Sequence, residues 1–213
     1  MRFDLHVHTE LSPCSRLTVA QIRRQARLLG LDGVCLTDHD TMAAAHLVRE
    51  GLQDDGLCLI IGLEYATAEG DILLFGPLED LPPGLSARRV IGLARSLGGV
   101  AIAAHPFRTW RPAGPGILDH PGLSGLEVRN GRNRPEENAA AARFAAERNL
   151  PALAGSDAHS LDELGRMPLE VDAVVRGRAD FVAALLAGRY RLPQLDPVWP
   201  GLGDGHSCPT FVS

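Results

Sequence analysis

Short apolar runs alternate along this chain with stretches whose apolar residues recur at helical spacing. Phe3 to Val7, Gly33 to Thr37, Cys58 to Leu63, Ile72 to Phe75, Val100 to Ala104, Leu123 to Val128 and Ala152 to Ala154 read as strands. Between them, Val19, Ile22, Ala26 and Leu29 share one helical face, with Thr18 as N-cap and Gly30 as stop. Met42 to Leu52 is predicted as a second helix, Ser86 to Leu97 as a third capped by Ser86, and Asp180 to Leu186 as the last. The clearest helix is Pro135 to Asn149, with proline near its start, Glu136 and Glu137 in the first turn and Arg148 near the end. Alternation of this kind predicts an α/β fold of parallel strands joined by crossover helices, with enough strands for a barrel.

Pro112 to Pro121 reads as a loop. From Arg191 to Ser213 the periodicity stops, and Pro193, Pro197, Pro200 and Pro209 stand among glycines. The expected organisation is one domain over residues 1–190 followed by an irregular segment over 191–213, with no internal repeat.

Composition narrows the class. A chain of 213 residues, 45% hydrophobic and 22% charged, suits one globular domain with a real core. The formal charge of −5 and the lack of a Lys/Arg run predict no extended nucleic-acid binding and no attraction to an anionic membrane. No apolar run reaches the ~18 residues of a spanning helix. The N-terminus carries no signal-peptide pattern, and Cys14, Cys35, Cys58 and Cys208 form no CxxC pair. Free thiols in a cytoplasmic protein are therefore expected.

The chemistry-bearing residues fall at strand ends. His6 and His8 are two apart on the first strand, a spacing that puts both side chains on one face. Asp38 and His39 end the second strand, Glu64 the third and His105 the Val100 strand, while Asp157 and His159 follow Ala152 to Ala154. In a parallel barrel such ends meet on one face. His6, His8, His39, Glu64, His105, Asp157 and His159 exceed the four ligands of one tetrahedral ion, so at least two ions are expected. Mixed imidazole and carboxylate donors suit Zn²⁺, Mn²⁺ or Fe²⁺ better than Ca²⁺ or Mg²⁺.

These segments resemble the PHP (polymerase and histidinol phosphatase) superfamily. The matching stretches are Asp4-Leu5-His6-Val7-His8-Thr9, Gly30 to Asp40, Gly62-Leu63-Glu64, Ala104-His105-Pro106 and Gly155-Ser156-Asp157-Ala158-His159, in family order. Gly125 to Gly131 also looks like the family's penultimate strand and the loop after it. The resemblance implies a distorted (β/α)7 barrel, two or three divalent ions at its C-terminal face, and those seven residues as ligands. It implies that Glu64 bridges two ions, that His6, His8 and Asp157 share one of them, and that His39, His105 and His159 complete the rest. The chain departs from the family pattern at two places. Cys14 stands in the turn where many members carry a metal-binding Asp or His, and it is read as structural rather than as a thiolate ligand. Asp71 stands where several members have a histidine, and it is read as an extra ligand or a holder of water.

The expected reaction is hydrolysis of a phosphate ester of a small metabolite or nucleotide by a metal-activated hydroxide. Asp38 and His159 are candidates for moving the leaving-group proton, with Asp38 alternatively orienting a ligand histidine. Arg16, Arg108, Arg129 and Arg132 lie in loops after strands and are candidates for the substrate phosphate. Hydrolysis of a non-phosphate bond and a non-catalytic metal-binding accessory role are the competing expectations.

Overall fold

The computed structural model describes residues 1–79 and 81–194. In chain order the strands are β1 (Arg2–Val7), β2 (Gly33–Leu36), β3 (Gly51–Leu52), β4 (Cys58–Ile61), β5 (Leu63–Thr67), β6 (Gly70–Phe75), β7 (Val100–Ala103), β8 (Gly125–Asn130), β9 (Ala152–Gly155), β10 (Leu169–Val171) and β11 (Tyr190–Arg191). The helices are α1 (Val19–Leu28), α2 (Ala87–Ser96), α3 (Pro115–Leu118), α4 (Pro135–Arg148) and α5 (Arg178–Leu186). The expected irregular segment lies outside the described residues from position 195 onward, and Trp199, His206 and Cys208 with it.

The strands form two sheets, ordered β11-β10-β1-β2-β4-β3 and β5-β6-β7-β8-β9. They meet at two isolated parallel bridges, Val7 with Ala158 and His39 with Glu64. Among the described residues the hydrogen-bonded ladder is therefore not a closed barrel, and the fold is mixed α/β. Gly62 marks one seam. A Cβ there would lie 2.6 Å from both the Leu74 carbonyl and the Phe75 ring, so glycine lets one apolar run pass from β4 in one sheet to β5 in the other.

Three sequence expectations are corrected, the first being the loop expected over Pro112 to Pro121, which holds the short helix α3. Strands β1, β2 and β4 are parallel, as are β7, β8 and β9, but β5, β6 and β7 pair antiparallel. Only Ala68 and Glu69 separate β5 from β6, and a parallel crossover needs a dozen or more residues. The helix expected over Met42 to Leu52 is a short 3₁₀ turn at Ala43–His46 followed by β3. Gly51 takes φ +99°, and the Glu50 carboxylate leaves the local segment to accept from the Ile61 N–H and pair with Arg178.

Strand residues alternate between two buried layers. Leu59, Ile61, Ile72, Leu74, Ala101 and Ala103 pack toward helical residues such as Ile22, Val90 and Ile91. Cys58, Ile60, Leu73, Phe75 and Ile102 pack with Phe3, Leu5 and Phe181. Burial on both faces explains why these strands read as continuous apolar runs. Phe181 of α5 sits 5.1 Å from Phe3 and 5.4 Å from Phe75, centroid to centroid. No described helix is long and apolar enough to cross a membrane.

Candidate metal centre

The strand ends bring the expected donors together. His6 and His8 come from the end of β1, His39 from the loop after β2, Glu64 from β5, His105 from the loop after β7, and Asp157 and His159 from the loop after β9. Asp71 reaches the same place from the start of β6, because that strand runs backwards. Three overlapping groups have donor atoms within 4.8 Å of one another: His6, His8, Glu64 and Asp157; His8, His39 and His159; and Glu64, Asp71 and His105. His6 and His8 are fully buried, and Glu64, His105 and Asp157 are nearly so. His105 and Asp157 hold their backbones at φ +30° and +55°, a region uncommon for residues other than glycine.

The tautomers indicate what the first group can hold. His6 Nδ1 donates to Glu127 Oε1 at 3.1 Å. His8 Nδ1 donates to Ser12 Oγ at 3.1 Å, whose own proton goes to Asp38 Oδ1 at 2.6 Å. Each ring thus directs its Nε2 lone pair inward, and the two Nε2 atoms face each other at 3.0 Å. Glu64 Oε2 lies 3.3 and 3.2 Å from them, and Asp157 Oδ1 3.5 and 3.3 Å. Two lone pairs and two carboxylate oxygens at such distances repel unless a cation stands among them, so the donor set fits a divalent ion. Burial alone lowers the His6 pKa, but the charges of Asp157, Glu64 and Glu127 reverse this and hold it well above its ordinary value. Burial likewise raises Glu64 and Asp157. His6 and His39 overcome it for Glu64, His6 and Arg108 for Asp157, and both carboxyls lie well below the usual range.

The second group has a different character. His159 Nδ1 contacts Arg132 Nη1 at 2.8 Å, and its Nε2 lies 3.1 Å from Cys14 Sγ. Burial and the neighbouring His8 and Arg132 push the His159 pKa down to about 3, despite Asp157. His159 Nδ1 also lies 2.8 Å from the Asp157 carbonyl oxygen. Asp38, also expected as a shuttle, has its oxygens taken by Thr9 N–H at 2.7 Å, Thr9 Oγ1 at 2.7 Å and Ser12 Oγ at 2.6 Å. It anchors the turn that orients His8. Asp71 is gripped by Arg111, whose Nη2 lies 2.7 Å from Oδ1 and whose Nε lies 3.0 Å from Oδ2. His105 Nε2 is 3.9 Å away.

The four arginines expected at the phosphate do not share one setting. Arg108 is buried, with Nη2 on Asp157 Oδ2 at 2.6 Å and Asn130 Oδ1 at 2.8 Å, and Nε on Asn133 Oδ1 at 2.9 Å. Its guanidinium is committed to the protein. Arg129 points away from the donors, giving Nη1 to the Pro193 carbonyl at 2.6 Å, and it lines an apolar groove along α4. Arg16 is exposed in the loop before α1. Arg132 lies beside His159, with its Nε 3.4 Å from Glu163.

Sequence reasoning gave no role to Ser12, Arg111, Asn133 or Glu127, which lie around the donors. Glu137 supports the same loop from a distance, accepting from Thr109 N–H at 2.8 Å, Thr109 Oγ1 at 2.7 Å and Arg134 N–H at 2.9 Å. Burial opposes ionisation, but the bonds from Thr109 and Arg134 hold this carboxyl at about 2 instead of its ordinary 4.5. A carboxyl depressed in the folded state adds stability above its ordinary pKa, and that stability is lost as pH falls toward the folded value. Urea melts at successive pH values are therefore expected to show Glu137→Gln losing less stability than the wild type between pH 4.5 and about 2. Parallel losses would show that Glu137 is not linked to folding in this way.

Comparison with known proteins agrees with this geometry. The PHP domain model matches residues 4–105, and the model described as PHP-associated matches residues 135–190. An uncharacterised protein of Methanocaldococcus jannaschii is 33% identical over 145 residues, covering 63% of this chain and 84% of that one. A solved candidate metal-dependent phosphoesterase from Bifidobacterium adolescentis aligns at TM-score 0.65 and 22% identity, covering 87% of this chain and 95% of its own. Endonuclease Q, solved with a 27-mer duplex carrying an abasic lesion, aligns at TM-score 0.67 and 22% identity. That match covers 90% of this chain and 58% of the endonuclease. At these identities the solved structures speak for the fold. Fold, clustered donors and matched models agree on one family. The chain belongs to the PHP family.

One expectation is overturned by these relatives. Net charge and composition predicted no extended nucleic-acid binding, yet endonuclease Q, which shares this fold over 58% of its chain, is solved in complex with a DNA duplex. Net charge averages over the whole surface, while binding depends on the local field at one face.

Proposed function

We propose that this chain is a phosphoesterase that holds two or three divalent ions, and that it hydrolyses phosphate esters of small metabolites or nucleotides, nucleic-acid ends included. The observation that carries the reading is the pair of inward-facing Nε2 atoms of His6 and His8, 3.0 Å apart, with Glu64 and Asp157 beside them. In this reading His6, His8, Glu64 and Asp157 hold one ion. Glu64 is shared with His105 and Asp71, and His39 and His159 serve a further position. Bound divalent ions supply water activation at neutral pH and neutralise charge on a phosphoryl group. Ser12 and Glu127 orient the imidazoles. Arg132 and Arg111, partly exposed and paired with Glu163 and Asp71, put positive charge beside the donors. The bridges at Val7 and His39 support reading β1, β2, β4 with β5, and β6 to β9 as one distorted seven-stranded barrel with two open seams.

The test uses the purified chain with an aryl phosphate monoester, an aryl phosphate diester and an aryl carboxyl ester. Chelation is expected to abolish phosphate-ester turnover, and added Mn²⁺ or Zn²⁺ to restore it. Turnover of the carboxyl ester alone, or phosphate turnover indifferent to chelator, would overturn the proposal.

A further inference from the structure

Glu127 lies on β8 with no exposed surface. Its Oε1 accepts from His6 Nδ1 at 3.1 Å, and its Oε2 accepts from the His105 backbone N–H and from Asn130 Nδ2, each at 2.8 Å. Neither oxygen belongs to the grouped donors, so this carboxylate stands behind the centre. Its reach continues through Asn130. Asn130 Oδ1 accepts from Arg108 Nη2 at 2.8 Å, and the same Nη2 holds Asp157 Oδ2 at 2.6 Å. Three donors from three strand ends, His6, His105 and Asp157, are thus referred to one buried group. Space is reserved for it: a Cβ on Gly155 would sit 2.6 Å from Glu127 Oε1 and 2.6 Å from His6 Cβ.

We infer that Glu127 is a positioning residue that fixes the ring of His6 and the left-handed backbone of His105, and so sets the affinity of the centre for its cation. The inference rests on the metal-dependent reading proposed for the site. An ionised carboxylate only accepts hydrogen bonds, and all three groups facing Glu127 donate. The bond from His6 Nδ1–H leaves Nε2 as the inward donor and raises its basicity. The bond from His105 N–H restrains a residue at φ +30°. Glutamine cannot replace these contacts, because one end of its amide must turn a donor toward a donor. Aspartate keeps the charge but is too short to reach both His6 and His105.

The test compares full-length wild type, Glu127→Gln and Glu127→Asp. Zn²⁺ affinity is measured by competition with a chromophoric chelator, below the melting temperature of each protein, and the Co²⁺-loaded proteins are examined by visible absorption. Glu127→Gln is expected to weaken Zn²⁺ binding by roughly 10–100-fold and to alter the cobalt spectrum at saturation, with a smaller loss in Glu127→Asp. Excess metal is expected to recover turnover in both. A purely structural role would lower the melting temperature while leaving the Zn²⁺ affinity of folded protein and the cobalt spectrum unchanged. Wild-type affinity and spectrum in folded Glu127→Gln, or in Glu127→Asp where the glutamine variant does not fold, would overturn the inference alone. Failure of both variants to fold would make Glu127 structural and overturn it too. A wild type that binds no Zn²⁺ would remove the metal reading with it.

Discussion

Asp157→Asn is expected to lose bound metal and phosphate-ester turnover together. Asp157 Oδ1 lies 3.5 and 3.3 Å from the Nε2 atoms of His6 and His8, and asparagine keeps the shape while removing the charge. A supporting residue behind a ligand costs roughly 10–100-fold in affinity or activity when removed, and loss of the charge on a donor itself should exceed that. The variant also deprives Arg108 of its ionised partner, so the measurement needs a thermal melt beside elemental analysis and turnover. Folded Asp157→Asn with full metal content and wild-type turnover would show that the cage is not the catalytic centre. Folded protein with intact metal but no turnover would give Asp157 a task in the reaction other than holding the ion.

The donor positions were legible because their signal is local. His6-x-His8 and Asp157-x-His159 each fit within three residues, and the apolar run before each one marks a strand whose end they occupy. The groups that orient these donors leave no such trace. Glu127 meets His6 across 121 positions of sequence, Arg108 meets Asp157 across 49, and Arg111 meets Asp71 across 40. A buried glutamate on a strand and an arginine in a loop look ordinary until the fold supplies their partners. The misread helix over Met42 to Leu52 has the same origin. Its residues carry an acceptable helical pattern, but Glu50 is committed to Ile61 and Arg178 in distant elements, and tertiary contacts override weak propensity. The reversal of β6 was closer to hand, because two residues between β5 and β6 leave no room for a crossover. That reversal brings Asp71 to the same face as the ends of the parallel strands.

Arg108→Met separates a phosphate contact from a framework cation. The sequence placed Arg108 in a loop and suggested the former, while the geometry commits its guanidinium to Asp157, Asn130 and Asn133 within the buried interior. Removing one member of a buried ion pair leaves an uncompensated charge and costs about 3–5 kcal/mol. Here Asn133 Oδ1 also loses the Arg108 Nε donor, while Asn130 Oδ1 keeps the Arg132 N–H. Urea melts of the metal-free protein are therefore expected to show a loss of that order. Metal that binds beside Asp157 would replace part of the missing positive charge, so the variant should bind it more tightly than the wild type does, and by linkage the loss should shrink in the loaded protein. An arginine serving the substrate behaves in the opposite way: its loss would raise KM for phosphate esters and leave both melts almost unchanged. Equal destabilisation with and without metal would place the cost in the asparagine contacts instead of Asp157, and would show that Arg108 and the cation do not compensate the same carboxylate.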